Sequence, residues 1–508
     1  MKSNVWRHPV RFCKNMAVSA CLALTLSSTQ WAAAAPAQGG TLIVAQTADA
    51  QPGNVQAVRA GNTAWVKNVF ETLISIDASH NPQPLLATAW KLSSDGLSMS
   101  ITLRDDVTFQ SGRKMTASDV KFSFEYAVRP TSASQLAFIG RQITAMDVGS
   151  PTQITLRFAK PLSNIFDFFN LTVIVDKDSV AGLADGSKVI GTGPFVWQSW
   201  QPGGKIVLKK YAGYRDAANV YLDGIELPII ADSTAQLTAL RGGRAQVGGV
   251  SITDAQGFEK DPRYKLVKAG GGIFPLGLNV TTKPFTDVRV RQAVAYAIDR
   301  ERINSQVFGG LATISNQFWS PTELNNAALQ NRYSYDPEKA KKLIAEAGAI
   351  GAEVAIVVPA IPSVQSEYEI VRNNLQAIGL KVSATPLNVG EFDARQVAGN
   401  LGQAFLLVHG QVGFGAATML SSLPSLRASN PSKFASPEYD KLRTALDAAG
   451  TPAAKSAALA ALSGFLLDQA FTLPLVQAPG VIVTSAKVQG LHYDAMGFMD
   501  AVHTYLNK

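Results

Sequence analysis

Two hydrophobic periods take turns along this chain. Leu97, Met99, Ile101 and Leu103 fall at every second position, as do Ile154, Leu156 and Phe158, and Ile206 and Leu208. Alternate residues share one face of an extended strand, so each run predicts a half-buried strand. Val107-Thr108-Phe109, after a turn, reads as a short continuation. Helical spacing stands between these runs. Val120, Phe124 and Ala127 recur on one face behind Thr116-Ala117-Ser118-Asp119, which has the form of a capping box. From Asp287, Val290, Val294, Ala297 and Ile298 form a second stripe, leaving Arg289, Arg291 and Arg300 to face water. Asp336-Pro337-Glu338 opens a third helix with its cap, its first-turn proline and an acid near the dipole. Leu343, Ile344 and Ala347 continue it, and Gly348 ends it. The segment Val371 to Ile378 passes through Gly379 into a strand at Leu380 and Val382. The alternation predicts an α/β fold. No repeat or Pro/Ser linker interrupts it, so any two lobes should be joined by ordered strands.

The first residues have a different pattern. Lys2, Arg7, Arg11 and Lys14 form a basic start, Met16 to Leu26 an apolar middle, and Ala35-Pro36-Ala37-Gln38 a small-residue exit. That order predicts a signal peptide over residues 1–37, cleaved after Ala37, and a periplasmic mature protein. Val18-Ser19-Ala20-Cys21 resembles a lipid-attachment box, but the apolar run continues past Cys21. No later segment approaches the roughly 20 apolar residues of a spanning helix.

This leader changes how composition is read. Both cysteines, Cys13 and Cys21, lie within it, so the remaining chain can form no disulfide, thiolate metal site or cysteine nucleophile. Without its four cations, 42 basic residues face 38 acidic ones. With no block of like charge, no nucleic-acid partner is expected.

Catalytic patterns are missing as well. His80, His409, His492 and His503 show no i, i+4 pair. No G-x-S-x-G elbow is present. Gly203-Gly204-Lys205 lacks the spacing and hydroxyl of a phosphate loop, and Gly191-Thr192-Gly193-Pro194 reads as a tight turn before a strand at Phe195-Val196-Trp197. Neither metal nor cofactor is expected, and no enzymatic activity. Two carboxylates brought together by folding would leave an exported hydrolase as the remote alternative.

Seven segments together resemble one family. They are Val69-Phe70-Glu71-Thr72-Leu73 with Pro84 to Trp90 and Ser94-Asp95-Gly96; Leu103 to Phe109 with Ser111-Gly112 and Thr116 to Val120; Gly191 to Phe195; Tyr221-Leu222-Asp223-Gly224-Ile225; Asp287 to Ala293; Ala297 to Arg300; and Tyr335 to Ala340. Their order is similar to that of extracytoplasmic solute-binding proteins of ABC importers, family 5, the peptide/nickel class. The resemblance implies a type II periplasmic binding protein with two lobes and an extra subdomain in the first. Lobe 1 would take residues 38–272, with the extra subdomain over about 78–189. Lobe 2 would take 273–481, and 482–508 would return to lobe 1. The chain would cross between lobes near Phe274–Asn279 and Leu473–Val483, and the motifs themselves would be mostly scaffold. The implied protein is a monomer that encloses a small-molecule or peptide ligand and meets the permease subunits of its importer.

One departure bears on the ligand. Peptide-binding members of the family carry an aspartate in a loop after a strand of the second lobe. The matching stretch here is Leu406 to Gly415, with Val412 in the aspartate's place, and Ala394 to Tyr439 contains no aspartate. An ammonium buried without a carboxylate is costly, so the ligand could equally be an opine, an oligosaccharide or a metal chelate. His409, Gln411 and Phe414 become the first candidate ligand residues, with Phe318, Trp319, Gln46 and Trp65 behind them. His and Gln can donate and accept, while the aromatic rings offer stacking faces.

Overall fold

The computed structural model describes residues 36–77, 79–410 and 413–507. The leader up to Ala35 therefore lies outside the described residues, as do Ala78, Gln411, Val412 and Lys508. No helix among the described residues is long and apolar enough to cross a membrane.

Two long antiparallel strands, Tyr264–Leu278 and Thr472–Ser485, hold the chain together. They pair from Tyr264↔Ser485 to Gly277↔Thr472. Beside their outer halves stand Val247–Val250 and then Thr41–Ala45, parallel to each other, followed by Gly224–Pro228, Lys205–Lys210 and Phe195–Gln201. Beside their inner halves stand Ala404–Leu406, Glu353–Pro359 and Lys381–Leu387, the last three mutually parallel. Neighbouring strands thus run as one sheet that extends to opposite sides of the crossing pair.

The crossing is irregular at two places, between Phe274 and Pro275 and, more sharply, at a run of glycines. Register slips between Ala269 and Gly272, where Gly270 has φ +59° and Gly271 φ +129°. A Cβ on Gly271 would stand 2.2 Å from the Ala478 carbonyl oxygen, and one on Gly480 would stand 2.5 Å from that of Ala269. Only glycine permits both the backbone conformation and the close passage. Pro479 lies opposite and removes a ladder donor.

A separate antiparallel sheet is built from Ala87–Leu92, Ser98–Leu103, Gln153–Phe158 and Ile143–Ser150. The helix Ala117–Val128 covers it with Val120, Phe124 and Ala127 buried, and its capping box is formed by Thr116 and Asp119. Arg113 holds the motif together by binding the buried carboxylates of Asp119, at 2.6 Å, and Asp176. Glycines of the Gly191–Phe195 turn have a steric reason too: a Cβ on Gly191 would stand 2.0 Å from the Val69 oxygen.

The strands and helices predicted from periodicity are present, with two corrections. Val107-Thr108-Phe109 forms no strand. Only Thr108 bridges to Lys114, because the chain turns back at once through Gly112 N–H to Phe109 O. Arg291 and Arg300 do not face water, being 4% and 5% exposed. Arg291 donates to the carbonyls of Phe285 and Gln469, each at 2.7 Å, and Gln469 is the last residue of the helix Pro452–Gln469. Arg300 donates to the carbonyls of Ala295, Tyr333 and Pro474. Helix ends leave carbonyls without intrahelical donors, and Arg291 serves that of Gln469 and Arg300 that of Ala295. Burial lowers the Arg300 pKa to about 10.

Gly271→Ala adds a side chain where both φ and space forbid one. Urea unfolding is expected to show a loss of about 2 kcal/mol or more, with secondary structure retained by circular dichroism.

Candidate functional site

In open α/β sheets, ligands bind beyond the carboxyl ends of parallel strands. Here several such ends converge on the crossing. Ala45 leads to Gln46 and Thr47, Val250 to Ser251, Pro359 to Pro362, and Leu406 to Val408 and His409. A cavity of about 570 Å³ lies at this point, lined by Val250, Ser251, Phe274, Ser363, Val408 and Gly410 with the glycine bulge itself. Its size suits a small organic ligand.

No ionisable side chain lines the cavity among the described residues. Its polar groups are hydroxyls, an amide and peptide groups. Ser251 caps the helix Ile252–Glu259, its side chain accepting from the Asp254 N–H. The helix Pro362–Ala377 begins beside it with no side-chain cap. The site can therefore offer backbone N–H donors and hydroxyls over an apolar floor.

None of the described candidate ligand residues singled out from sequence lines the cavity. His409 continues the Ala404–Leu406 strand by pairing with Ile273, so Val408 and Gly410 border the cavity while its own ring turns inward. That ring is 5% exposed and its Nε2 lies 2.8 Å from Ser425 Oγ. Burial lowers its pKa to about 4, so it is neutral at pH 7. Gln411 lies outside the described residues. Phe414 is buried beside it in sequence.

Phe318 and Trp319 are also buried. Their backbone is pinned by Gln477 Nε2, which donates to the carbonyls of Gln317, Phe318 and Trp319. Trp65 is fully buried, with its Nε1 donating to Gly61 O and its ring 4.7 Å from that of Trp197. Gln46 is different. It is 6% exposed, bridges to Ile229 through its backbone, and both its amide atoms lack a partner. A buried amide left unpaired costs free energy unless something else satisfies it.

Sequence reasoning missed Ser251, Ser363, Val408 and Gly410. Val250-Ser251-Ile252-Thr253-Asp254 has a readable helix-cap pattern after a strand, but nothing local marks Ser363 or Gly410 as neighbours of it. Among the described residues no group of three or more His, Cys, Asp or Glu side chains could hold a metal ion.

The family model for bacterial extracellular solute-binding proteins, family 5 (middle part), matches residues 81–430. The glutathione-binding protein GsiB of Salmonella typhi is 27% identical over 337 residues, 65% of this chain, and the match spans 65% of that relative's length. The periplasmic binding protein AgaA of A. tumefaciens R10, solved with agropinic acid, has a TM-score of 0.72 at 23% identity over 92% of this chain and 99% of its own. DppA from Helicobacter pylori, solved with the peptide STSA, has a TM-score of 0.72 at 22% identity over 93% and 99%. These likenesses give the fold: mixed α/β, with the two-lobe form of periplasmic binding proteins.

The His409 ring supplies a pH test. Its folded pKa lies below the unfolded value of about 6.5, so the unfolded chain takes up a proton that the folded ring refuses. Its contribution is complete above pH 6.5 and is lost as pH falls from there toward about 4. His409→Gln should flatten that part of the profile. Urea midpoints at pH 7 and pH 5 should differ less in the variant than in the wild type.

Proposed function

The chain belongs to the bacterial extracellular solute-binding proteins of family 5, and from that premise we propose that it is the exported component of an ABC importer, closing two lobes around a small ligand and delivering it to the permease. Residues 1–37 would be removed on export to the periplasm. Lobe 1 would comprise 38–272 with its subdomain near 78–189, lobe 2 273–481, and 482–508 the return to lobe 1. The mature protein would act as a monomer.

The observation that carries this reading is the glycine-bulged crossing of two strands beside a cavity where strand ends converge. A ligand touching both lobes stabilises closure by its differential affinity for the closed state. Burial strips its water, so each polar group must find a partner. Gln46, with an amide donor and acceptor unoccupied, suits that task. Closure then gives the permease one combined surface. No bond needs to break.

The ligand class follows from what the loop lacks. Ala394 to Tyr439 has no aspartate and the cavity lining, among the described residues, no ionisable group, so a free peptide ammonium would find no carboxylate there. A similar protein is a glutathione-binding protein, and similar structures hold agropinic acid and a peptide. Together these support a ligand that presents amide, hydroxyl or carboxylate groups to this loop, such as a modified peptide or an opine.

Native mass spectrometry of protein purified without dialysis should reveal a bound small molecule. Thermal shift against glutathione, di- and tripeptides, an opine acid, an oligosaccharide and a nickel–histidine chelate then ranks the classes, since a ligand at 100 times its Kd stabilises by about 2.7 kcal/mol. No added mass and no shift with any of them would sink the reading. Gln46→Leu is expected to leave the ligand-free melting point unchanged or higher while weakening affinity about tenfold, the value of one buried hydrogen-bonded group. Gln411→Ala should weaken affinity likewise with the same ligand-free melting point.

A further inference from the structure

The segment after the candidate ligand loop has a helix that cannot cap itself. Ala416–Ser422 opens at Gly415, which has no side chain, and no aspartate lies anywhere in Ala394 to Tyr439. Two distant carboxylates take its first N–H groups instead. Asp167, on the helix Ile165–Leu171, accepts from the Gly415 N–H at 3.0 Å and from the Thr418 hydroxyl. Glu323 accepts from the Ala416 N–H with both oxygens at 3.1 Å and pairs with Lys455 at 3.0 Å.

These contacts join parts far apart in sequence. Asp167 follows the separate four-stranded sheet, whereas Gly415 ends the loop that leaves the cavity at Gly410. Between the same parts Lys160 also lies 3.9 Å from Asp447, and Phe168 and Phe169 belong to the same buried apolar cluster as Phe414 and Met419. Asp167 is 6% exposed, and burial pushes its carboxyl up while the Thr418 and Gly415 donors pull it down; Glu323 adds to the rise and His80 opposes it.

The geometry points to a closure latch: Asp167 of the inserted subdomain grips Gly415 and Thr418 of the second lobe, fixing the closed arrangement. The inference rests on the two-lobe reading proposed above. Its energetics suit a reversible contact. Charge-assisted bonds to Gly415 and Thr418 favour the grip, while opening returns a desolvated carboxylate to water. The two effects oppose each other, so the balance can be tipped by a bound ligand of modest differential affinity.

The absence of cysteine after residue 37 makes the test direct. Spin labels at Glu125→Cys and Lys441→Cys, both exposed positions on either side of the contact, report the separation by double electron–electron resonance in ligand-free protein. Asp167→Ala should lengthen that distance and speed amide exchange over 413–418 by about tenfold or more, equal to about 1.4 kcal/mol. Asp167→Asn, which keeps an acceptor oxygen, should fall between it and the wild type. Thr418→Val, similar in volume but without the hydroxyl, should show a smaller change in the same direction and carries the test if Asp167→Ala fails to fold. Wild-type distances and exchange in both Asp167→Ala and Thr418→Val would overturn the latch, even in a protein that binds its ligand. A longer distance in a protein that binds none would uphold the latch and count against the transport reading instead.

Discussion

The close passage of two strands at Gly271 and Gly480 is the constraint on which the rest of this molecule depends. Backbone meets backbone there at distances that admit no Cβ. Because the register slips at the same place, the strands keep their pairing on both sides without forming one stiff ladder. Everything of functional interest is arranged around that point. Strand ends from both halves of the sheet reach it, and the cavity lies against it.

The second organising feature is the use of charge borrowed across long stretches of sequence. Arg291 and Arg300 satisfy carbonyls from other elements, Arg113 joins two buried carboxylates, and Asp167 with Glu323 caps a helix that has no cap of its own. Buried ions are costly unless hydrogen-bonded, and each of these is. They pin segments that apolar packing alone would leave loosely specified, including the helix start at Gly415 and Ala416.

Local pattern revealed what depends on neighbours in sequence. The capping box at Thr116 to Asp119, the stripe from Val290, and the period-two strands all appear where the spacing put them. It failed where a partner lies far away. Arg300 looks like a surface residue on its own helix, because the carbonyls of Tyr333 and Pro474 that it serves come from elsewhere. The candidate site was legible only in part for the same reason. Gln46 and His409 follow strand ends that could be read, but alternation along the strand put the His409 ring on Ser425 and left Val408 and Gly410 at the cavity. Asp167 has no sequence signal at all, since its partners lie 248 and 251 residues downstream.

The central claim is that ligand is enclosed at the crossing. Hydrogen exchange with and without the ligand recovered from the native protein tests it most directly. Protection concentrated in 46–50, 250–253 and 408–415, with the ends of the sheet unchanged, is the predicted result. Ligand-dependent protection confined to other surfaces, with those three segments unaltered, would contradict it.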